Sequence, residues 1–239
     1  GKTTVSINLA ASLAARGERS LLVDMDPQGH CALGLSLPET QIEHTIGDLL
    51  SAGLDGRLGI SEIAWPVTRR LELVPAAMSL AGAEQRLAGA SDKDRRLMQV
   101  LSPAAERYGY CVIDCPPSIG LLTFNALRAA DEVLVPVETG YFSLKGAIKQ
   151  QQTIELLARR VAHRMRMRVL PTLYDPRADD AEPILAELKR QFAGYLAPAV
   201  IHSSSQLRQA ATFGQPITEY APASDAAEDF RQLADWLIA

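Results

Sequence analysis

Runs of continuously apolar residues recur along the chain, spaced by longer stretches in which apolar positions return every three or four residues. The runs are RSLLVDMD (19–26), LELVPA (71–76), YCVIDCP (110–116), EVLVPVE (132–138), MRVLPTLYD (167–175) and PAVIHS (198–203). A strand covered on one face alternates apolar and polar positions. These runs barely alternate, which predicts strands covered on both faces, as in a parallel sheet. Helical spacing covers 3–16, 92–107, 119–129, 143–163, 179–192 and 224–238. Strand and helix in turn imply βαβ units, hence an α/β fold with a doubly wound, mostly parallel sheet flanked by helices. No internal repeat or low-complexity linker divides the chain, so residues 1–239 read as one domain. The segment 38–59 is the least regular and reads as a surface excursion. Most strands end in Asp, Pro, Gly or Ser. Open α/β sheets hold their ligands at such carboxyl ends.

Composition narrows the class. With 239 residues, 47% of them apolar and 22% charged, the chain has the make-up of a soluble globular protein with one sizeable core. No stretch reaches the ~18 uninterrupted apolar residues of a membrane span. Cys31, Cys111 and Cys115 show no disulfide spacing, which points to a reducing cytosol. A net charge of -4 excludes a uniformly basic nucleic-acid binder and leaves room for a local basic patch.

Candidate chemistry begins at the first residue. Gly1, Lys2, Thr3 and Thr4 match the end of the phosphate-binding loop G-x-x-x-x-G-K-[ST], and the helix that follows ends at Gly17. In such a loop backbone N–H groups face the phosphates, the lysine neutralises the β and γ groups, and the threonine ligates Mg²⁺. A loop of this kind needs a strand before it, so the pattern predicts that a strand and the first loop residues precede Gly1. GKTT could also open an ordinary helix, but two further stretches weigh against that. LLVDMDPQGH sets Asp24 and Asp26 at a buried strand end before Pro27, and YCVIDCPPSIG sets Asp114 before a Pro-Pro turn. A carboxylate buried there is costly unless a cation or hydrogen-bond donors meet it. Either alone could cap a helix. Together with GKTT they compose a nucleotide–Mg²⁺ site.

GKTT, LLVDMDPQG, VIDCPPSIGLLTFNAL and VPVETGYFSLKG resemble the ParA/MinD family of deviant-Walker ATPases, on its ParA (Soj-like) side. LPTLYDPR and HSSSQLRQAATFGQPITEYAPAS extend the resemblance over essentially the whole chain. The family loop reads Lys-Gly-Gly-Val before Gly-Lys-Thr-Thr, and its signature lysine would fall ahead of Gly1. The resemblance implies an ATPase that uses ATP/ADP and Mg²⁺. It casts Lys2 and Asp26 in catalysis, with Asp26 orienting or deprotonating the attacking water. Gly1, Lys2, Thr3 and Thr4 would hold phosphates, with Thr4 beside the α-phosphate. Thr3 and Asp114 would hold Mg²⁺, Asp114 through water. Pro116, Pro117 and Gly120 would belong to a switch that senses the γ-phosphate. Thr172, Leu173, Asp175, Ile201 and His202 would lie near adenine. The family further implies a homodimer with ATP, non-specific binding to nucleoid DNA, and a ParB-like or cargo adaptor protein that stimulates hydrolysis. The cargo could be a plasmid, a chromosome origin or a protein assembly, positioned in the cytoplasm.

Cys31 and Cys115 follow the acidic motifs, but Cys111 and Cys115 read as small packing residues rather than cluster ligands. His30, His44, His163 and His202 show no ligand spacing and read as surface or turn residues. A MinD-like membrane helix would need a basic polar face. The C-terminal stripe of Phe230, Leu233, Trp236 and Leu237 instead carries Asp225, Glu228, Asp229 and Asp235 against Arg231. Lys189, Arg190 and Arg208 are the DNA-binding candidates, with Arg164, Arg166 and Arg168 near a strand start. A solvated helix face is the plain alternative for them. Beside positioning, an ATP-dependent metabolic ligase on the same scaffold is the second function class.

Overall fold

The computed structural model describes residues 1–52, 58–140, 146, 148 and 165–239. α1 (Lys2–Ala15) is buried without a break from Val5 to Ala14. Such all-round burial marks a helix enclosed on every side rather than laid on the surface. It leads into β1 (Ser20–Asp24), in which every residue is buried. Then come α2 (His30–Gly34), α3 (Ile46–Ala52), α4 (Ile60–Ile63), β2 (Trp65–Thr68), β3 (Leu71–Val74) and α5 (Ser79–Leu87). After α6 (Arg96–Leu101) follow β4 (Tyr110–Asp114), α7 (Leu121–Ala129), β5 (Glu132–Glu138) and β6 (Arg166–Thr172). The described chain closes with α8 (Ala181–Gln191), α9 (Ser205–Thr212), α10 (Ile217–Tyr220) and α11 (Asp225–Ile238).

Four strands pair in the order β2-β3-β1-β4, with β1 parallel to both neighbours. β2 runs antiparallel at the edge, where Pro66 is tolerated because an edge strand can spare an N–H. β5 and β6 form a separate parallel pair in full register from Glu132 to Glu138. An apolar groove of about 760 Å³ is lined by both β4 and β5, with the buried Val5, Leu9 and Leu13 of α1 at its floor. Helices cover the sheet on two sides. Leu21 and Val23 pack with Leu49, Leu80 and Leu97, while Leu22 and Leu73 pack with Ile7 and Ala10 of α1. A third cluster joins Leu9 and Leu13 to Ile217, Phe230 and Leu233. The mixed sheet flanked by helices is the fold class that the apolar runs predict.

Several elements differ from expectation. The run 198–203 forms no strand and makes one isolated bridge, His202 to Tyr174. β6 stops at Thr172 because Leu173 takes a left-handed backbone, φ 55°, which a strand cannot continue. The expected helix 92–107 is a short α6 followed by a 3-10 turn from Ser102 to Arg107, where Pro103 lacks the N–H of a continuing helix. Residues 38–59 are not merely a surface excursion, since Ile46, Leu49 and Leu50 of α3 are fully buried. The helix expected over 143–163 lies outside the described residues apart from 146 and 148, and Arg164 also lies outside them.

Candidate functional site

Asp114 closes β4 and is 1% exposed. Its Oδ2 accepts the Thr3 hydroxyl at 2.8 Å and its Oδ1 accepts the Ser6 hydroxyl at 2.9 Å. Both hydroxyls come from the first two turns of α1, so the start of that helix is tied to the end of β4. Asp24 pairs with Asp114 across the parallel ladder and is also fully buried. Its two oxygens accept the backbone N–H of Asp26 at 2.9 Å and of Cys31 at 3.0 Å. Burial pushes the Asp24 carboxyl up to about 6, against the pull of those two N–H groups. These bonds shape the loop that presents Asp26. Asp26 Oδ1 in turn accepts the Gln28 N–H at 3.0 Å, a tight turn over Pro27. Gly29 completes the loop with φ 65°, and a Cβ there would meet the Ala76 carbonyl oxygen at 2.9 Å. Only glycine fits both demands.

These pieces enclose one cavity of about 500 Å³. Gly1, Lys2, Thr3 and Thr4 form one wall, Asp26, Pro27, Gln28 and His30 a second, and Pro116, Pro117 and Ser118 a third. The arrangement sets a lysine ammonium, a threonine hydroxyl and a carboxylate around a space of nucleotide-phosphate scale. Gly120 does not line it; it precedes α7 at the end of the same loop. Thr172, Leu173, Asp175, Ile201 and His202 do not line it either. Thr172 and Ile201 are buried, and Leu173 is exposed. Asp175 is engaged by Arg177, whose guanidinium holds its carboxyl down at about 2.

His202 is more than a surface residue. Its ring Nδ1 lies 3.0 Å from both oxygens of buried Asp229, and its backbone N–H donates to Asp229 Oδ2 at 2.8 Å. Sequence reading also passed over Ser6 and Asn8. Asn8 Oδ1 accepts the Ile217 N–H at 2.7 Å while its amide donates to the Thr4 carbonyl. A spacing of i, i+3 from Thr3 to Ser6 on a helix start was the available signal for Ser6.

Asp24, Cys31 and Asp114 place their ligand atoms within 4.8 Å of one another. The donor set argues against a thiolate metal site there. Burial pushes the Cys31 thiol well up, and the thiol lies 3.6 Å from Asp114 Oδ2 as a donor. Both Asp24 oxygens are already occupied by backbone donors. Of the basic candidates, Lys189 and Arg190 close α8 and Arg208 is exposed on α9. Arg190 binds Glu187 at 2.8 Å, Arg166 and Arg168 both lie against Glu132, and Arg168 also stacks over Trp236. α11 buries Phe230 and Leu233 in the core. Its apolar stripe is therefore packing. Among the described residues no helix is long and apolar enough to cross a membrane.

Comparison with known proteins gives concordant matches. A family model described as "AAA domain" matches residues 1–167. The chromosome partitioning protein ParA of Myxococcus xanthus is 40% identical over 240 residues, covering 100% of this chain and 83% of that protein. The sporulation initiation inhibitor protein Soj of Bacillus subtilis is 37% identical, covering 98% of this chain and 92% of its own. Among solved structures, a cobyrinic acid a,c-diamide synthase from Mycobacterium smegmatis with bound ATP analog and magnesium superimposes with a TM-score of 0.82. It is 28% identical, covering 99% of this chain and 88% of that one.

Proposed function

The chain belongs to the ParA/MinD family of P-loop ATPases, and from that premise we propose that it binds ATP and ADP with Mg²⁺ and hydrolyses ATP to position or partition an intracellular cargo. One observation carries this reading: Lys2, Thr3, Asp26 and the Pro116–Ser118 loop converge on a single cavity, with Asp114 bonded to Thr3 behind it. The Thr3 hydroxyl and the Asp114 carboxylate fit a hard divalent cation that takes oxygen ligands and keeps several waters. Bound there, Mg²⁺ would neutralise charge on the β and γ phosphates. Lys2 would bind the same phosphates by charge-assisted hydrogen bonds. Asp26, held by its turn, would orient the attacking water and accept its proton. Phosphoryl transfer to water asks for little more than such placement and neutralisation.

In this reading ATP joins two copies into a dimer whose affinity for nucleoid DNA is switched by hydrolysis in the cytoplasm, under a ParB-like or adaptor partner. Residues 1–239 act as one domain. Lys189, Arg190 and Arg208 supply phosphate contacts for DNA. The test is co-sedimentation of the full-length protein, with and without ATP, on unrelated DNA sequences and on anionic vesicles at two salt concentrations. ATP-dependent DNA binding that fades with salt is expected, because released counterions drive it. Vesicle binding without DNA binding would replace the ParA-type reading by a MinD-like one. Retained DNA binding in a triple Lys189→Ala/Arg190→Ala/Arg208→Ala variant would displace the patch. A second reading, an ATP-dependent amide-forming ligase, draws on the 28% identity to the diamide synthase. The 40% identity to a partitioning protein over the whole chain favours positioning.

A further inference from the structure

Gly120 caps the start of α7 without a side chain to accept a bond, so the first N–H groups of the helix need an outside acceptor. Glu84 provides one from a different helix. Its Oε1 accepts the Leu122 N–H at 3.3 Å, from the middle of α5. The approach is close: a Cβ on Gly120 would stand 2.8 Å from that same oxygen. A carboxylate also suits the positive end of the helix dipole. The chain just ahead of α5 touches the opposite wall of the cavity, where the Ala76 carbonyl lies against Gly29 and the Met78 sulfur accepts from the Gln28 side chain at 3.8 Å. One segment, Ala76–Leu87, therefore abuts both the Asp26 loop and the Pro116–Gly120 loop.

We propose that Glu84 is a positioning residue for ATP hydrolysis: by holding the N-terminal turn of α7 it fixes the Pro116–Gly120 loop, and with it the Pro116–Ser118 wall, relative to Asp26. The proposal rests on the ATPase reading. Glu84 does not line the cavity, so it acts on the placement of the loop that does. Its loss should lower turnover more than nucleotide affinity.

Three variants of the full-length protein test it. Glu84→Ala removes the acceptor, and Glu84→Gln keeps an oxygen in its place. Gly120→Ala displaces the carboxylate by contact, at a backbone (φ −131°) that alanine adopts without strain. Glu84→Ala should lower kcat about tenfold, with ADP affinity within about twofold of wild type, and Glu84→Gln should recover most of the loss. Gly120→Ala and Glu84→Ala should be non-additive when combined, since both remove one contact. Wild-type turnover in Glu84→Ala would overturn the proposal. So would equal losses in Glu84→Ala and Glu84→Gln that track a fall in melting temperature. If the wild-type protein hydrolyses no ATP, the function reading falls separately. Hydrogen exchange at the Leu122 amide then decides alone, and exchange unchanged in Glu84→Ala would show that Glu84 holds nothing.

Discussion

In the proposed function Asp26 has two tasks that a well-chosen substitution separates. Its carboxylate faces the cavity as the candidate water-orienting group, and its Oδ1 accepts the Gln28 N–H that shapes the Asp-Pro-Gln turn. Asparagine keeps Oδ1 and removes the charge; alanine removes both. A positioned general base contributes roughly 10²–10⁴-fold to a hydrolytic step, or about 3–5 kcal/mol of barrier. The turn hydrogen bond contributes about 1 kcal/mol to stability. Asp26→Asn should therefore fold like wild type and bind ATP within a few-fold, while single-turnover phosphate release falls by about two orders of magnitude or more. Asp26→Ala should lose turnover to the same extent and in addition melt earlier. Phosphate release with saturating ATP, a titration with a fluorescent ATP analogue and a thermal melt read the three quantities apart. Asp26→Asn turnover within about twofold of wild type would refute the assignment. Equal destabilisation of both variants would refute the turn argument.

Two further predictions concern single residues. Lys2→Ala should weaken ATP binding by at least about tenfold in calorimetric titration, because it removes the cation facing the phosphates; unchanged affinity would contradict the phosphate site. Burial holds the Asp229 carboxyl above its ordinary value, against the pull of His202. A raised folded value favours the native state below the unfolded value, and that contribution is lost as pH climbs through the folded one. Asp229→Asn should therefore flatten the decline in stability as pH rises above the ordinary carboxylate range, read by thermal melts, and an unchanged slope would contradict the argument.

Much of the sheet is legible because its strands are written as apolar runs, although only β1 is buried throughout and β4 and β5 are half-buried beside the groove. SLLVD, YCVID and EVLVPVE are uninterrupted apolar runs that end in carboxylates, and they become β1, β4 and β5. What escapes is set by tertiary partners. Trp65–Thr68 contains a proline and alternates weakly, so only its place at the sheet edge makes it a strand. The run PAVIHS has the apolar content of a strand, yet the chain spends it on isolated contacts because Asp229 captures His202. Asp24 looked like a candidate site carboxylate. It turns inward instead, where two backbone N–H groups consume its oxygens. Glu84 has no sequence signal at all, because its partner lies 38 residues away.

The two sides of the cavity are held very differently, and that asymmetry bears on the proposed nucleotide switch. α1 is fastened along its length: Thr3 and Ser6 to Asp114, Asn8 to the Ile217 N–H, and apolar packing on two faces against the sheet and α11. Pulling its first turn out of place would break buried charge-assisted bonds, each contributing about 1.5–3 kcal/mol, so the phosphate-binding residues are pre-organised. The Pro116–Gly120 wall has looser ties. Pro117, Ser118 and Ile119 are exposed, and at its far end the Thr123 hydroxyl donates to the Ser118 carbonyl and the Leu122 N–H to Glu84. Two prolines also remove two N–H donors from that stretch. In the proposed function, a rigid floor with a lightly tethered wall would let a terminal phosphate move the wall without disturbing its own binding site. Because the tether runs through Glu84 to the segment behind the Asp26 loop, movement of the wall would reach the residue proposed to orient water. Binding and hydrolysis would then be coupled through one short helix.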